Sequence, residues 1–185
     1  MRPALFLDRD GVINLDHGYV YRIDQVEFLP GIFALARAAV ARGMALVVVT
    51  NQSGIGRGLY TEADFHRLMG WMGLEFARQG APLLAVEFCP DHPEHGRGAY
   101  RRDSPRRKPG PGMLLDAAAA HGLDLAASVL VGDRASDALA GARAGVGTRV
   151  LVTTEAAEAA LAPAGTLVLP SVLAAAAWLE GRPLP

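Results

Sequence analysis

An α/β fold, with a mostly parallel sheet carrying helices on both faces, is what the sequence predicts, and three observations predict it. Short apolar runs alternate with longer amphipathic ones along the 185 residues. The run at residues 45–50, ALVVVT, is continuous and β-branched, the pattern of a strand buried on both faces. Apolar residues make up 51% of the chain, enough for one buried core without staples.

In order, residues 4–8 read as a buried strand and 30–41 as a helix with Pro30 near its start. The strand at 45–50 follows. Residues 61–78 form a long helix, because Thr61 is an N-cap residue and Asp64 stands three positions on, an approximate capping box. Residues 83–88 are a third strand. The helix at 111–121 stops at Gly122. Residues 128–132 are a strand and 135–144 a helix. Short strands at 148–152 and 166–169 flank an alanine-rich helix at 156–164, and 171–179 closes the chain as a helix. Strand and helix repeated in this way imply a Rossmann-like sheet. Two segments break the rhythm, 11–29 and 89–110. Loops of that length inside a compact domain are usually functional, yet neither is long enough for a cap, so residues 1–185 are expected to form a single capless domain.

The net charge of −1 argues against a surface tuned for nucleic acid. Cys89 is the one cysteine, so no internal disulfide forms, which suits a reducing, cytoplasmic setting. The apolar run at 4–7 is too short for a signal peptide and ends in Asp8, Arg9 and Asp10. No apolar run reaches membrane-spanning length, so no membrane partner is expected. The compact outline suggests a monomer.

In parallel sheets the ligand sits beyond the carboxyl ends of the strands. The first strand ends in Asp8-Arg9-Asp10-Gly11, two carboxylates in one turn. The second ends in Thr50-Asn51-Gln52-Ser53-Gly54, where a hydroxyl and backbone N–H groups can bind phosphate oxygens. The fourth ends in Gly132-Asp133, with Asp137 four residues on. Lys108 lies in the second long loop and is the one lysine in a chain whose Lys and Arg total 18. Each piece alone is also read as an ordinary turn, cap or solvated side chain. Together they bring carboxylates, a hydroxyl and an ammonium to the functional rim. Crowded carboxylates without His or Cys select a hard cation such as Mg²⁺.

Asp8-x-Asp10-Gly11-Val12, Thr50-Asn51, Lys108-Pro109 and Gly132-Asp133-x-x-x-Asp137 resemble, in order and spacing over about residues 4–150, the four motifs of the haloacid dehalogenase-like hydrolases. Within that superfamily the chain is similar to the D-glycero-D-manno-heptose 1,7-bisphosphate phosphatases, through Asp16-His17-Gly18-Tyr19-Val20, the run from Thr50 to Gly58, and Arg107-Lys108-Pro109 with Pro111-Gly112-Met113. Val146-Gly147-Thr148 is similar too, and the narrower likeness covers nearly the whole chain. The resemblance implies a Mg²⁺-dependent phosphatase removing the 7-phosphate of a small sugar bisphosphate. Asp8 would form a phospho-aspartate. Asp10 would be the general acid and then the base. The metal would be held by Asp8, the backbone carbonyl of Asp10, Asp133 and a phosphate oxygen. Thr50, Asn51 and Lys108 would bind the equatorial phosphate oxygens. Asp16, His17, Gly18, Tyr19, Gln52, Ser53, Arg107 and Arg134 would face the sugar or its second phosphate.

Many members carry a structural zinc in the second long loop, on Cys-x-His and then Cys-x-Cys. Here Cys89 is followed by Asp91 at the His position, and Ser104 and Arg106 stand at the later two, so no zinc is expected in that layout and prolines and salt bridges must hold the loop. Cys89, His92, His95 and Asp103 lack a standard zinc spacing. The loop is basic, with Arg97, Arg101, Arg102, Arg106, Arg107 and Lys108 opposed by Asp103, which suits an anion collector. Three rivals stand beside the heptose reading. One is a histidinol-phosphate phosphatase. Another is a DNA 3′-phosphatase, against which the lack of an aromatic-rich face weighs. The third is a receiver-like phospho-accepting module, against which the acid at Asp10 weighs.

Overall fold

The computed structural model describes residues 1–181, so the last four positions of the expected domain lie outside the described residues. Six strands form one sheet: β1 (Ala4–Leu7), β2 (Ala45–Asn51), β3 (Leu83–Cys89), β4 (Val129–Gly132), β5 (Thr148–Val152) and β6 (Thr166–Leu169). Their spatial order is β3-β2-β1-β4-β5-β6, and every neighbouring pair is parallel. Parallel neighbours need crossovers. The helices are α1 (Ile32–Ala41), α2 (Ser53–Gly56), α3 (Glu62–Arg78), α4 (Gly112–His121), α5 (Ala135–Ala144), α6 (Ala156–Leu161) and α7 (Val172–Glu180).

Alternate strand residues point to opposite faces. Leu5, Leu7, Leu46, Val48, Val129 and Val131 pack with buried residues of α1, α3 and α7 on one face. Phe6, Val47, Val49 and Leu130 pack with Met113, Leu114 and Ala117 of α4 and Ala140 of α5 on the other. Coverage on both faces is why β1, β2 and β4 read as unbroken apolar runs rather than alternating ones. The chain moves one way from β1 through β3 and the other way from β4 through β6. The reversal lies between β1 and β4, where open α/β sheets leave a crevice.

The expected elements are present, with three differences. Helix α1 begins at Ile32, not Pro30, because Gly31 sits at the N-cap in the left-handed region (φ 93°). Helix α6 ends at Leu161, short of residue 164, since Pro163 cannot continue a helix. The long loops contain structure of their own: 3₁₀ turns at Ile23–Gln25 and Gly98–Tyr100, while α2 follows β2 directly. The capping box of α3 forms as its residues suggest, with the Asp64 N–H donating to Thr61 Oγ1 (3.1 Å) and the Thr61 N–H to Asp64 Oδ2 (3.0 Å).

The segment 11–29 folds back on itself. The Leu15 N–H donates to the Glu27 carbonyl (2.8 Å) and the Leu29 N–H to the Ile13 carbonyl (3.0 Å). The loop 89–110 is tied down by ion pairs. Buried Asp91 takes Arg102 Nε on Oδ2 (3.0 Å), and Arg106 bridges Glu87 (2.7 Å) and Asp116.

Candidate active site

Asp8 is the first residue beyond β1, Thr50 and Asn51 end β2, and Asp133 follows β4, so three strand tips flank the crevice. The loop 89–110 brings Lys108 in from the side. They line a cavity of about 380 Å³ together with Asp10, Asp16, Gly18, Tyr19, Gln52, Ser53 and Arg134. That size suits a small-molecule site.

Lys108 is buried, and its Nζ lies 2.9 Å from Asp8 Oδ1, 2.5 Å from Asp137 Oδ1 and 2.9 Å from the Val49 carbonyl. Three acceptors around one nitrogen match an ammonium, which has three protons to give. Its backbone is clasped by Asn51, which donates from Nδ2 to the Lys108 carbonyl (3.1 Å) and accepts the Lys108 N–H on Oδ1 (3.0 Å). Asn51 therefore anchors the lysine loop with both ends of its amide. Burial disfavours the charge on Lys108, but Asp137 and Asp8 more than offset it, and its pKa is raised.

Oxygen atoms of Asp8, Asp133 and Asp137 lie within 4.8 Å of one another. Among the described residues this is the one grouping of three or more His, Cys, Asp or Glu side chains close enough to share an ion. Gly11 makes the approach possible: a Cβ there would stand 2.3 Å from Asp133 Oδ2. Burial pushes Asp8 up to about 7 against the pull of Lys108, with Asp137 and Asp10 adding repulsion. Burial, then Asp8 and Asp137, push Asp133 up to about 8. Three crowded carboxylates facing one ammonium leave surplus negative charge in a poorly solvated place. An all-oxygen donor set of that kind fits a hard divalent cation.

The Asp10 carboxylate is not part of that trio. It accepts from Arg9, from Asn14 Nδ2 (3.0 Å) and from Gln52 Nε2 (3.2 Å). Gln52, expected at the sugar, has its amide engaged inward: Nε2 also donates to Thr50 Oγ1 (2.9 Å), and Oε1 accepts from Tyr60 Oη (2.5 Å). Asp16, Gly18 and Tyr19 line the mouth. The Asp16 side chain accepts the Gly18 N–H (2.8 Å), and Tyr19 follows in the left-handed region at φ 54°. A non-glycine residue held there carries strain of about 1–3 kcal/mol, and such strain is common at ligand sites. Its ring lies over Gly54, where a Cβ would stand 2.8 Å from Tyr19 and 2.2 Å from the Tyr60 ring.

Two expected contacts fall outside the cavity lining. His17 is exposed beside Glu27 (3.7 Å), and Arg107 is half-buried, donating to the Asp91 carbonyl (3.3 Å). Arg134 lines the cavity with Nε 3.5 Å from Asp133 Oδ2. The structure adds Asp137, Arg9, Asn14 and Tyr60. Asp137 is legible as the second carboxylate of the fourth motif. Nothing local marks Tyr60, whose link to Gln52 spans eight positions.

Of the four positions at which the sequence resemblance would place zinc ligands, Cys89 and Asp91 lie together, with Sγ 3.9 Å from Oδ2, and Ser104 hydrogen-bonds the thiol. Arg106 turns to Glu87 and Asp116. Burial pushes the Cys89 thiol up. No helix among the described residues is long and apolar enough to cross a membrane.

A family model described as HAD-hydrolase-like matches residues 105–175. The chain is 56% identical over 165 residues to the D-glycero-alpha-D-manno-heptose-1,7-bisphosphate 7-phosphatase of Burkholderia mallei, covering 89% of this chain and 87% of that protein. It is 49% identical over 152 residues to the D-glycero-beta-D-manno-heptose-1,7-bisphosphate 7-phosphatase of Escherichia coli strain K12, covering 82% and 80%. A crystal structure of D,D-heptose 1,7-bisphosphate phosphatase from B. bronchiseptica, complexed with magnesium and phosphate, superposes with a TM-score of 0.82 at 34% identity, covering 97% of this chain and 98% of that one.

Proposed function

The chain belongs to the heptose 1,7-bisphosphate phosphatase family of the haloacid dehalogenase-like hydrolases, and we propose that it removes the 7-phosphate of D-glycero-D-manno-heptose 1,7-bisphosphate through a phospho-aspartate on Asp8. The observation that carries this reading is Asp8 itself, held at a strand tip by Lys108, beside an all-oxygen cradle and two residues from a second carboxylate in the same cavity.

Asp8 attacks phosphorus and the bond to the sugar oxygen breaks, while Asp10 hands that oxygen a proton. Asp10, now a carboxylate, takes a proton from the water that cleaves the acyl phosphate, which returns Asp8 and releases inorganic phosphate. Lys108 and Thr50 stabilise the charge that spreads over the transferring oxygens. Asp8, Asp133 and the Asp10 carbonyl would hold Mg²⁺, which would supply charge neutralisation between nucleophile and phosphate. Asp16, Gly18, Tyr19, Ser53 and Arg134 meet the sugar or its far phosphate at the mouth, and the basic loop collects the bisphosphate. His17 and Arg107 serve that far end from just outside the cavity.

The chain acts as a single capless domain, a cytoplasmic monomer with no nucleic-acid or membrane partner; a lone thiol supports the reducing setting, and the near-zero net charge weighs against a nucleic-acid partner. The test is a comparison of kcat/KM for both heptose 1,7-bisphosphate anomers, fructose 1,6-bisphosphate, histidinol phosphate and a 3′-phosphorylated oligonucleotide. One heptose bisphosphate should lead by about 100-fold or more, a margin of about 2.7 kcal/mol, with phosphate leaving carbon 7. Histidinol phosphate or the oligonucleotide in first place would overturn the reading.

A further inference from the structure

Arg9 sits between the two catalytic carboxylates in sequence, and its side chain is fully buried. Its backbone N–H donates to Asp8 Oδ1 (2.7 Å). Its guanidinium grips Asp10 as a fork, with Nε 3.1 Å from Oδ1 and Nη2 2.8 Å from Oδ2. Nη2 also donates to the Val20 carbonyl (2.7 Å), and the group lies 5.9 Å from the centre of the Phe65 ring. Nη1 has no hydrogen-bond partner. A buried guanidinium with one nitrogen unpaired is a poor stabiliser, and an apolar side chain of its size would serve the core as well. What it achieves is orientation: a planar fork fixes both the position and the plane of a carboxylate.

The opposite side of Asp10 is met by Gln52, which has no freedom of its own. Its Nε2 reaches Asp10 Oδ2 and Thr50 Oγ1, and its Oε1 takes the Tyr60 hydroxyl at 2.5 Å. Burial pushes the Tyr60 phenol up to about 12, so it remains a donor at working pH. Tyr60 is fixed in turn by stacking on Tyr21, with ring centres 5.1 Å apart.

We infer that Arg9 on one side and the Tyr60-held Gln52 on the other are positioning residues for Asp10, fixing its carboxylate where it meets the leaving-group oxygen. The inference rests on the phosphatase reading above. It reassigns Gln52 from sugar contact to Asp10 support. It also ties Asp10 to the segment carrying Asp16–Tyr19, because the nitrogen that holds Asp10 Oδ2 also holds Val20.

The test is a cycle on kcat/KM for heptose 1,7-bisphosphate, with p-nitrophenyl phosphate as a second substrate whose leaving group departs without a proton. Tyr60→Phe and Gln52→Leu should cost about 10-fold and Arg9→Lys about 100-fold on the heptose substrate, within the range of general acid–base effects. On p-nitrophenyl phosphate they should cost less than about 3-fold, and in an Asp10→Asn background less than about 2-fold on either substrate, since residues acting through one group are not additive. Equal losses on both substrates, full losses in the Asp10→Asn background, or no loss at all would overturn the inference. If Arg9→Lys fails to fold, the Tyr60 and Gln52 variants decide it by the same criteria. A wild-type protein that hydrolyses neither substrate defeats the phosphatase reading instead.

Discussion

At Lys108 the chemistry narrows to a single residue type. Asp8, Asp137 and the Val49 carbonyl surround Nζ at 2.9, 2.5 and 2.9 Å, which a three-proton ammonium satisfies and a flat fork does not. Lys108→Arg should therefore lower kcat/KM by about 100-fold with charge retained, and wild-type kinetics in that variant would refute the fit. Asp8→Asn keeps the shape and removes the nucleophile, so turnover should fall by about four orders of magnitude, roughly 5 kcal/mol of barrier. Release of phosphate at the normal rate from that protein would end the assignment. Asp8 was legible beside a strand tip and Lys108 as the one lysine of the chain, each within a recognisable short motif. Arg9 was not, since nothing in a three-residue string tells whether the middle side chain faces solvent or lies fully buried.

Within single elements, the loop 89–110 shows ion pairs acting as staples. Asp91 is 1% exposed and its charge partner Arg102 is largely exposed. Arg102→Ala leaves a buried carboxylate without its ion-pair partner and should destabilise the fold by about 1–2 kcal/mol, less than for a fully buried pair because solvent screens the exposed partner. The Asp91→Asn, Arg102→Ala double variant should regain part of that loss in a denaturation cycle. A single variant as stable as wild type would show that the ion pair does not staple the loop. Such ties were readable only in outline: arginines and acids in one loop imply salt bridges, but which pair forms depends on how the loop closes. Helix α2 was missed for a related reason, because four residues are too few to show a period. Helix α6, read long from alanine content, was cut short by Pro163.

For the whole molecule, the cluster of acids couples stability to pH and to metal. Asp8 and Asp133 have native pKa values near 7 and 8 against 3.8 in the unfolded chain. The native state then binds more protons than the unfolded state between those values, so the slope of stability with pH is negative there. Their contribution is fully present below about pH 4 and lost as pH rises through about 7 to 8. The metal-free protein should thus show a melting temperature that falls by a few degrees between about pH 6 and pH 8.5. Mg²⁺ should restore it, and more at the upper end, because the ion binds the carboxylate form. A metal-free melting curve that rises over that interval, or equal Mg²⁺ shifts at both ends, would contradict the electrostatic account of the site.

The linear string alone carries the succession of strands and helices along the chain and the identity of the residues at the first, second and fourth strand tips. Apolar periodicity and short motifs are local properties and survive in a linear string. Packing in three dimensions brings Asp137 to Asp8 and Lys108, turns the Asp10 carboxylate from the acidic trio towards Arg9, and points the Gln52 amide inward to Tyr60. Those outcomes depend on which buried donors find acceptors when segments distant in sequence are packed together. Burial obliges each polar group to find a partner, and no local pattern names which one.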